Sequence, residues 1–448
     1  MLPFAETAQT LRHVHPRLEG TLLPFGFFFV LGFVYLAALA VDRLAAKLRL
    51  PGAAALLLLG LAISQAMAGI HHVQTIHVET LHRISLALLI FCAGLGTDLR
   101  RIRGMVGPGL RLGTVGVLLT LLLTALALRL LGPGLMGDPG GLPLAAAWLA
   151  ASCLTATDRG AVEDLLRSLH HAIRGRLTHL LEFETGLSTV SSVLCFGFIA
   201  GLFHGHGADP ATPTSAHLTL GVGAQLALMG RHVLAGLVAG ALVGGPAPWL
   251  IDKLVRSEQQ LLLVTISLAF LAFGMGQILG GGGLLAVFMA GMWLANGPYR
   301  MTRFDQQAIE RGAHPFNTAA EFTVLLLLGF LVSPAELLRM LPYGLLLALA
   351  MVLIRLVAVG ISLPGAAFKM ADRWILACCG LRGAVPLALA VAMGETLPHL
   401  QGVSHAMGDD LSSQLLALLF VAVLATLLLQ TLGMEIFSRL NRQRAILS

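Results

Sequence analysis

The chain has 448 residues, of which 56% are hydrophobic and only 12% are charged. Soluble domains carry about 25% charged residues, so this composition excludes a soluble protein and predicts an all-α polytopic membrane protein. The net charge of +6 does not indicate a nucleic-acid partner, because the basic residues fall in short loops between apolar runs, where they report orientation in the bilayer.

The apolar runs predict thirteen transmembrane helices, since one crossing takes about 20 residues. Glycine, proline and hydroxyl residues beside an arginine indicate that the fifth and twelfth of these helices are broken. The glycine run 280–283 separates the eighth from the ninth. The predicted spans lie near residues 21–42, 51–69, 83–98, 105–131, 142–165, 177–203, 222–250, 260–277, 280–297, 314–333, 341–364, 373–394 and 412–437.

Lysine and arginine recur after every second predicted span, for example in residues 43–49, 100–103 and 439–444. The positive-inside rule therefore places the C-terminus in the cytoplasm and the N-terminus outside. We expect residues 1–448 to form a single transmembrane unit in the lipid bilayer of a prokaryotic inner membrane.

The tetrapeptide Arg-Gly-Ala-Val occurs twice, at residues 159–162 in the fifth span and 382–385 in the twelfth. An offset of seven spans reverses the direction of equivalent helices, which predicts an inverted repeat. Matching interruptions in the two halves of a chain indicate the binding site of a secondary transporter. The positions that break the helices are predicted to be Gly160, Gly380, Gly383 and Pro386.

Charged residues inside predicted spans are costly at bilayer depth, so each is expected to have a partner or a function. Glu184 and Arg355 both lie deep in a span, and we expect them to form a structural ion pair that joins two helices. The intramembrane charges are Asp158, Arg159, Glu182, Glu184, Glu321, Arg355 and Arg382.

The sixth span carries hydroxyls at three- and four-residue spacing, which places Thr185, Ser188, Ser191 and Ser192 on one helical face. Two interpretations remain open. The hydroxyls either bond back to their own helix, or they line a polar cavity that faces Asp158. The chain has no HExxH motif and no nucleotide-binding glycine loop, so the sequence supports neither an enzyme nor an ATP-driven pump, and no cofactor is expected.

Three motifs resemble those of the cation/proton antiporter superfamily, in its sodium/proton exchanger branch. Residues 157–159 read Thr-Asp-Arg where the family has Thr-Asp-Pro. Residues 380–385 carry the family's Gly-Leu-Arg-Gly-Ala-Val, and residues 181–189 align on its Leu-Glu-Gly-Glu-Ser-Leu-Leu-Asn-Asp. The resemblance covers nearly the whole chain.

That resemblance implies an elevator-type transporter in which a core with two crossing broken helices moves against a dimerising scaffold. It also implies a homodimer, and it implies the pairing of Glu184 with Arg355. The core helices would lie at about 83–203 and 314–437, and the scaffold helices at about 21–69 and 222–297.

Three departures from the family pattern make the predicted site more positive. Ser188-Thr189 replaces the family's Asn-Asp, Cys92 replaces a glutamate often found in the third span, and Arg159 replaces a proline. These changes slightly favour sodium-linked transport of a small anion such as bicarbonate. The alternative is exchange of Na⁺ or K⁺ for protons, and a third hypothesis is a homologue that transports nothing.

In either transport hypothesis Na⁺ is the coupling ion and Asp158 is its ligand. Arg159 or Arg382, together with the hydroxyls, would hold the anion. The predicted ion and substrate residues are Thr157, Asp158, Arg159, Thr185, Ser188, Thr189, Ser192 and Arg382.

Overall fold

The computed structural model describes residues 32–45, 47, 52–66, 75–97, 106–136, 141–158, 160–162, 175–203, 222–280, 282–297, 306–363, 368–400 and 405–447. Regular secondary structure in this part of the chain is helical, as the composition predicts.

The helices are labelled in chain order. They are α1 (32–45), α2 (Gly52–Ala66), α3 (Thr75–Leu95), α4 (Val106–Arg111, Leu112–Gly116 and Val117–Met136), α5 (Leu144–Cys153), α6 (Gly175–Phe203), α7 (Val222–Gly244), α8 (Ala247–Leu254), α9 (Glu258–Gly280), α10 (Gly283–Asn296), α11 (Gln306–Leu331), α12 (Pro334–Ser362), α13 (Met370–Cys378), α14 (Ala384–Thr396) and α15 (His405–Leu447).

Seven of the described helices are long and apolar enough to cross a membrane, and five further apolar helices are shorter. Two of the short ones belong to the predicted broken spans, since α5 has 10 residues and α14 has 13. At 1.5 Å per residue each is roughly half as long as the ~30 Å bilayer core is thick. Described helices fall in each of the thirteen predicted spans, and the number of crossings stays a prediction.

The glycine run between the eighth and ninth predicted spans is a true break. Helix α9 ends at Gly280, whose φ of 146° lies in a region that side chains with a Cβ rarely adopt. Helix α10 begins three residues later, at Gly283. The two spans are therefore separate helices.

The helices pack in two groups. In one group α12 lies along α15 and α4, α4 packs on α5, and α5 packs on α6, so this group contains the broken spans. In the other group α10 lies against α7 and α3, and α11 lies against α2 and α3. A separate apolar cluster joins α3, α7, α9, α10 and α11 through residues such as Phe91, Val287 and Ile309, while α2 belongs to the larger cluster that also contains the first group.

Helices α3 and α11 therefore have their most extensive contacts with each other and with α2 and α10, although the family resemblance implied a core at about 83–203 and 314–437 that includes them. Helix α14 of the second broken span packs on α15 and α5, and also on α11 and α3. In the proposals below we assign α3 and α11 to the scaffold.

A π-helical stretch, Leu112–Gly116, interrupts the hydrogen-bond ladder of α4. Here Ser191 of α6 donates a hydrogen bond of 2.9 Å to the carbonyl of Gly113. Because the widened turn frees carbonyls from the ordinary ladder, a hydroxyl from the next helix can occupy one of them. This contact fixes α6 beside α4.

Candidate functional site

The interrupted segments of the two broken spans cross each other. The first span leaves its helix after Cys153, and residues 156–158 have no helical structure. The second leaves its helix after Cys378 and becomes helical again at Ala384. At the crossing the backbone N–H of Asp158 donates to the carbonyl of Leu381 at 2.8 Å. The structure thus contains the two crossing discontinuous helices that the sequence predicts.

The carboxylate of Asp158 binds the N-terminus of the other broken span. Its Oδ2 accepts a hydrogen bond of 2.6 Å from the backbone N–H of Ala384, the first residue of α14. Its Oδ1 accepts one of 3.1 Å from the N–H of Gly160. A helix N-terminus carries a partial positive charge and free N–H groups, so it stabilises a carboxylate that is only 5% exposed.

Arg382 makes the complementary contact. Its Nε donates a hydrogen bond of 2.6 Å to the carbonyl of Leu154, directly after the C-terminus of α5. That helix end carries a partial negative charge and unpaired carbonyls, which suit a buried guanidinium. The expected anion-holding role of Arg382 therefore competes with a structural one, because part of its donor set already binds Leu154.

Two glycines of the second break make room for charged side chains from other spans. A Cβ on Gly383 would overlap Oδ2 of Asp158, and a Cβ on Gly380 would overlap the guanidinium of Arg355. Pro386 is the third residue of α14, where the N–H that proline lacks has no partner within the helix anyway. These residue types therefore fit the predicted helix break.

Hydroxyls of α6 join it to the broken fifth span. Ser188 Oγ lies 2.6 Å from Thr157 Oγ1 and also donates to the carbonyl of Thr185 at 3.0 Å. Thr189 donates to the carbonyls of Thr185 and Thr157, at 2.9 and 3.3 Å. One helical turn further along α6, Ser192 donates to the carbonyl of Ser152 at 2.7 Å. The predicted site residues Thr157, Thr185, Ser188, Thr189 and Ser192 thus form one buried layer beside Asp158.

The direction of these hydrogen bonds decides which ion the layer favours. A hydroxyl has one hydrogen to donate, and those of Ser188, Thr189 and Ser192 go to backbone carbonyls. Thr185 bonds back to Leu181 in the same way. Either hydroxyl can be the donor in the contact between Ser188 and Thr157. Most hydroxyl hydrogens of the layer thus already bind carbonyls while oxygen lone pairs remain, which suits a cation better than an anion.

The structure shows both kinds of hydroxyl contact that the sequence left open, bonds within α6 and bonds to neighbouring spans. Thr185 bonds only within its helix, whereas Ser188, Thr189 and Ser192 also reach the fifth span. Ser191, on the same predicted face, binds α4 instead. Spacing alone could not separate these outcomes, because the partners are backbone carbonyls of other spans.

Glu184 and Arg355 are in direct contact. Arg355 donates through Nη1 and Nη2 to the two carboxylate oxygens of Glu184, at 3.0 and 2.9 Å. Both residues are buried, and the pair joins α6 to α12. A bidentate pair of this geometry satisfies the carboxylate, as expected for a strut between helices.

Arg159, which carried much of the anion hypothesis, lies outside the described residues. The helix turn that follows it is described at residues 160–162.

Glu321 of α11 is a neighbour of the site that the sequence analysis did not place there. The point where a Cβ of Gly160 would stand is 3.2 Å from Glu321 Oε2 and 3.7 Å from Asp158 Oδ1. Glu321 is half-buried. Its position inside a predicted span was the available signal, but nothing in the local sequence indicated which break it faces.

Comparison with known proteins identifies relatives along nearly the whole chain. Residues 31–439 match the family model described as sodium/hydrogen exchanger, transmembrane. The chain is 28% identical over 376 residues to the K⁺/H⁺ antiporter NhaP2 of Shewanella oneidensis, which covers 80% of this chain and 57% of that protein. It is 27% identical over 416 residues to the Na⁺/H⁺ antiporter NhaS2 of a Synechocystis species, covering 89% of this chain and 68% of the relative. The chain thus spans little more than half the length of the first of these relatives.

The fold resembles a solved transporter structure. The sodium proton antiporter MjNhaP1 of Methanocaldococcus jannaschii superposes with a TM-score of 0.77 at 20% sequence identity, covering 93% of this chain and 98% of that one. The likeness supports the antiporter fold for the whole described architecture.

Proposed function

The chain belongs to the sodium/hydrogen exchanger family, and on that basis we propose that it is a secondary transporter that exchanges an alkali cation for protons at Asp158. The observation that carries this proposal is the setting of the carboxylate. Asp158 is buried at the crossing of the broken spans, where two backbone N–H groups hold it and a layer of hydroxyls offers lone pairs. The named relatives are antiporters, so we assign a transport role and no enzymatic one.

Exchange requires that the cation and the proton compete for one group. The oxygens of Asp158 accept hydrogen bonds from the N–H groups of Ala384 and Gly160. The same carboxylate can bind a hard cation or a proton, but not both at full occupancy. An ionised carboxylate without a cation would be costly at bilayer depth. Asp158 therefore carries either a cation or a proton whenever it moves across the membrane.

Oxygen atoms near Asp158 supply the remaining ligands for a hard cation such as Na⁺ or K⁺. Thr157 is the strongest candidate, because it directly precedes Asp158 and its hydroxyl oxygen has two lone pairs. Carbonyl oxygens of the non-helical segment 156–158 are additional ligands of the type that hard cations prefer.

Anion transport, which the sequence slightly favoured, now ranks below antiport. The hydroxyls of Ser188 and Thr189 already donate to carbonyls, and Nε of Arg382 donates to Leu154, so these three donors are not available to an anion. Nη1 of Arg382 has no hydrogen-bond partner among the described residues, so the case against an anion rests on the hydroxyls. The relatives point the same way, because their names specify cation/proton exchange.

The elevator motion and the homodimer belong to the same proposal. Two groups of helices, each with its most extensive contacts inside the group, support a core that carries the broken spans and a scaffold that includes α3 and α11. In this scheme the scaffold surfaces of two copies meet, and each core moves independently with Asp158.

The test is transport by the purified protein in proteoliposomes that contain a pH-sensitive dye. A Na⁺ or K⁺ gradient in bicarbonate-free buffer should drive proton movement in the wild type. Asp158→Asn should abolish it while the protein still folds, because the asparagine carbonyl can accept the hydrogen bond from Ala384. Asp410→Asn, which changes an exposed carboxylate on α15, serves as the matched control and should transport normally.

Two results would refute the proposal. One is cation-driven proton movement that survives in Asp158→Asn. The other is a wild type that moves protons only when bicarbonate is present.

A further inference from the structure

Gly160 lies next to two carboxylates, those of Asp158 and Glu321. Its N–H binds Asp158 Oδ1, and the space beside its Cα is bordered by Oε2 and Oε1 of Glu321, at 3.2 and 3.6 Å from a Cβ placed there. Oδ1 of Asp158 is 3.7 Å from the same position. Glycine puts no side chain into this space, and oxygens of both carboxylates border it.

The two carboxylates come from different packing groups. Asp158 belongs to the broken spans, whereas Glu321 lies on α11, which packs against α2 and α3. Helix α11 also contacts α14, the helix whose N-terminus holds Asp158. Glu321 therefore stands on the scaffold side, at the place where the scaffold meets the ion-carrying part.

Electrostatics gives this neighbour an effect on cation affinity. A unit charge several ångströms away at an effective dielectric constant of about 20 changes the affinity for a monovalent cation by about tenfold or more. Asp158 alone also offers few oxygen ligands, and the oxygens of Glu321 are the next carboxylate oxygens beside Gly160. The hydroxyl layer adds only neutral lone pairs.

We propose that Glu321 is a second carboxylate of the transport route, fixed on the scaffold, which draws the cation toward the crossing and passes it to Asp158. The inference rests on the cation/proton exchange proposed above. Because Asp158 would travel with the core while Glu321 stays in place, Glu321 acts on the ion from one side of the membrane only. It is a specificity-determining residue for cation capture, and the exchange itself takes place at Asp158.

The first test compares Glu321→Gln with the wild type in proteoliposomes, with the cation supplied from either side. We expect the KM for the cation to rise about tenfold from one side, with a maximal rate within about twofold of the wild type. Glu321→Asp, which keeps the charge, should recover most of the affinity. Glu336→Gln, a partly buried carboxylate at the start of α12, is the control and should leave KM unchanged.

A second variant leaves both charges in place. Gly160→Ala puts a methyl group into the shared space, and it should also raise the KM for the cation because it separates the two carboxylates. A structural role for Glu321 would instead lower the maximal rate and the stability of Glu321→Gln equally from both sides, and Glu321→Asp would not restore the affinity; that pattern overturns the inference. The antiport proposal is judged separately, since it fails only if wild-type exchange is absent or Asp158→Asn stays active.

Discussion

At the scale of single residues, the site depends on the lack of a side chain at Gly383. Gly383 has no Cβ, and Oδ2 of Asp158 occupies the place where one would stand. This close approach lets the carboxylate reach the N–H of Ala384 at the beginning of α14. The need for glycine at position 383 therefore comes from space, because a Cβ would overlap the carboxylate.

Gly383→Ala should therefore displace Asp158 and remove transport almost completely. Crowding of a packed interior costs about 1–3 kcal/mol, so thermal unfolding should show a moderate loss of stability. Gly197→Ala is the matched control, because no atom lies within 4 Å of a Cβ at that position of α6. Normal transport by Gly383→Ala would mean that the carboxylate does not need this contact.

The sequence was informative about these residues where the chemistry is local. A charge beside glycine in an apolar span marked Asp158 and Arg382, and the pairing rule for buried charges marked Glu184 and Arg355. What it missed depends on which spans become neighbours. Ser188 meets Thr157 of the fifth span, and Glu321 lies beside Gly160, and neither contact follows from spacing along one helix.

At the scale of helices, one ion pair holds α6 against α12. Glu184 is completely buried and Arg355 nearly so, which means that neither charge can be solvated if its partner is lost. Arg355 also fills the space left by Gly380 in the second break. The strut thus aligns the hydroxyl face of α6 with the crossing.

Removing one member of the pair should destabilise the protein by about 3–5 kcal/mol, because it leaves an uncompensated buried charge. Arg355→Met and Glu184→Gln should each lower the unfolding temperature strongly. The double variant should lose much less stability than the two single losses added together. Additive losses in thermal unfolding would show that the two side chains do not stabilise each other.

Periodicity and length predicted most helices and both breaks, because a hydrophobic run of about 20 residues has few alternatives in a bilayer. Two element-level features did not follow from the sequence. The π-helical stretch Leu112–Gly116 has no distinctive composition, and the packing of α3 and α11 depends on contacts far apart in the chain. An internal repeat shows which helices are equivalent, but it does not show whether a given helix packs with the core or with the scaffold.

At the scale of the whole molecule, the basic loops predict how the chain lies in the membrane. A green fluorescent protein fused after Ser448 should fluoresce, because the positive-inside rule places that end in the cytoplasm. Alkaline phosphatase inserted in the predicted outer loop at residues 204–221 should be active. An active phosphatase at the C-terminus would reverse the predicted orientation.

At the crossing, each broken span supplies the side chain that caps a helix end of the other. Asp158 of the first span holds the N-terminus of α14, and Arg382 of the second binds the carbonyl that follows α5. Separating the breaks would strip a cap from each helix end, at about 0.5–2 kcal/mol for each cap, and would leave two opposite charges uncompensated in the same step. Because of this cost, we expect that neither broken segment moves away from the other to open a path for the ion. Water and ions have to gain access around the crossing, from alternate sides, while the crossing itself stays closed.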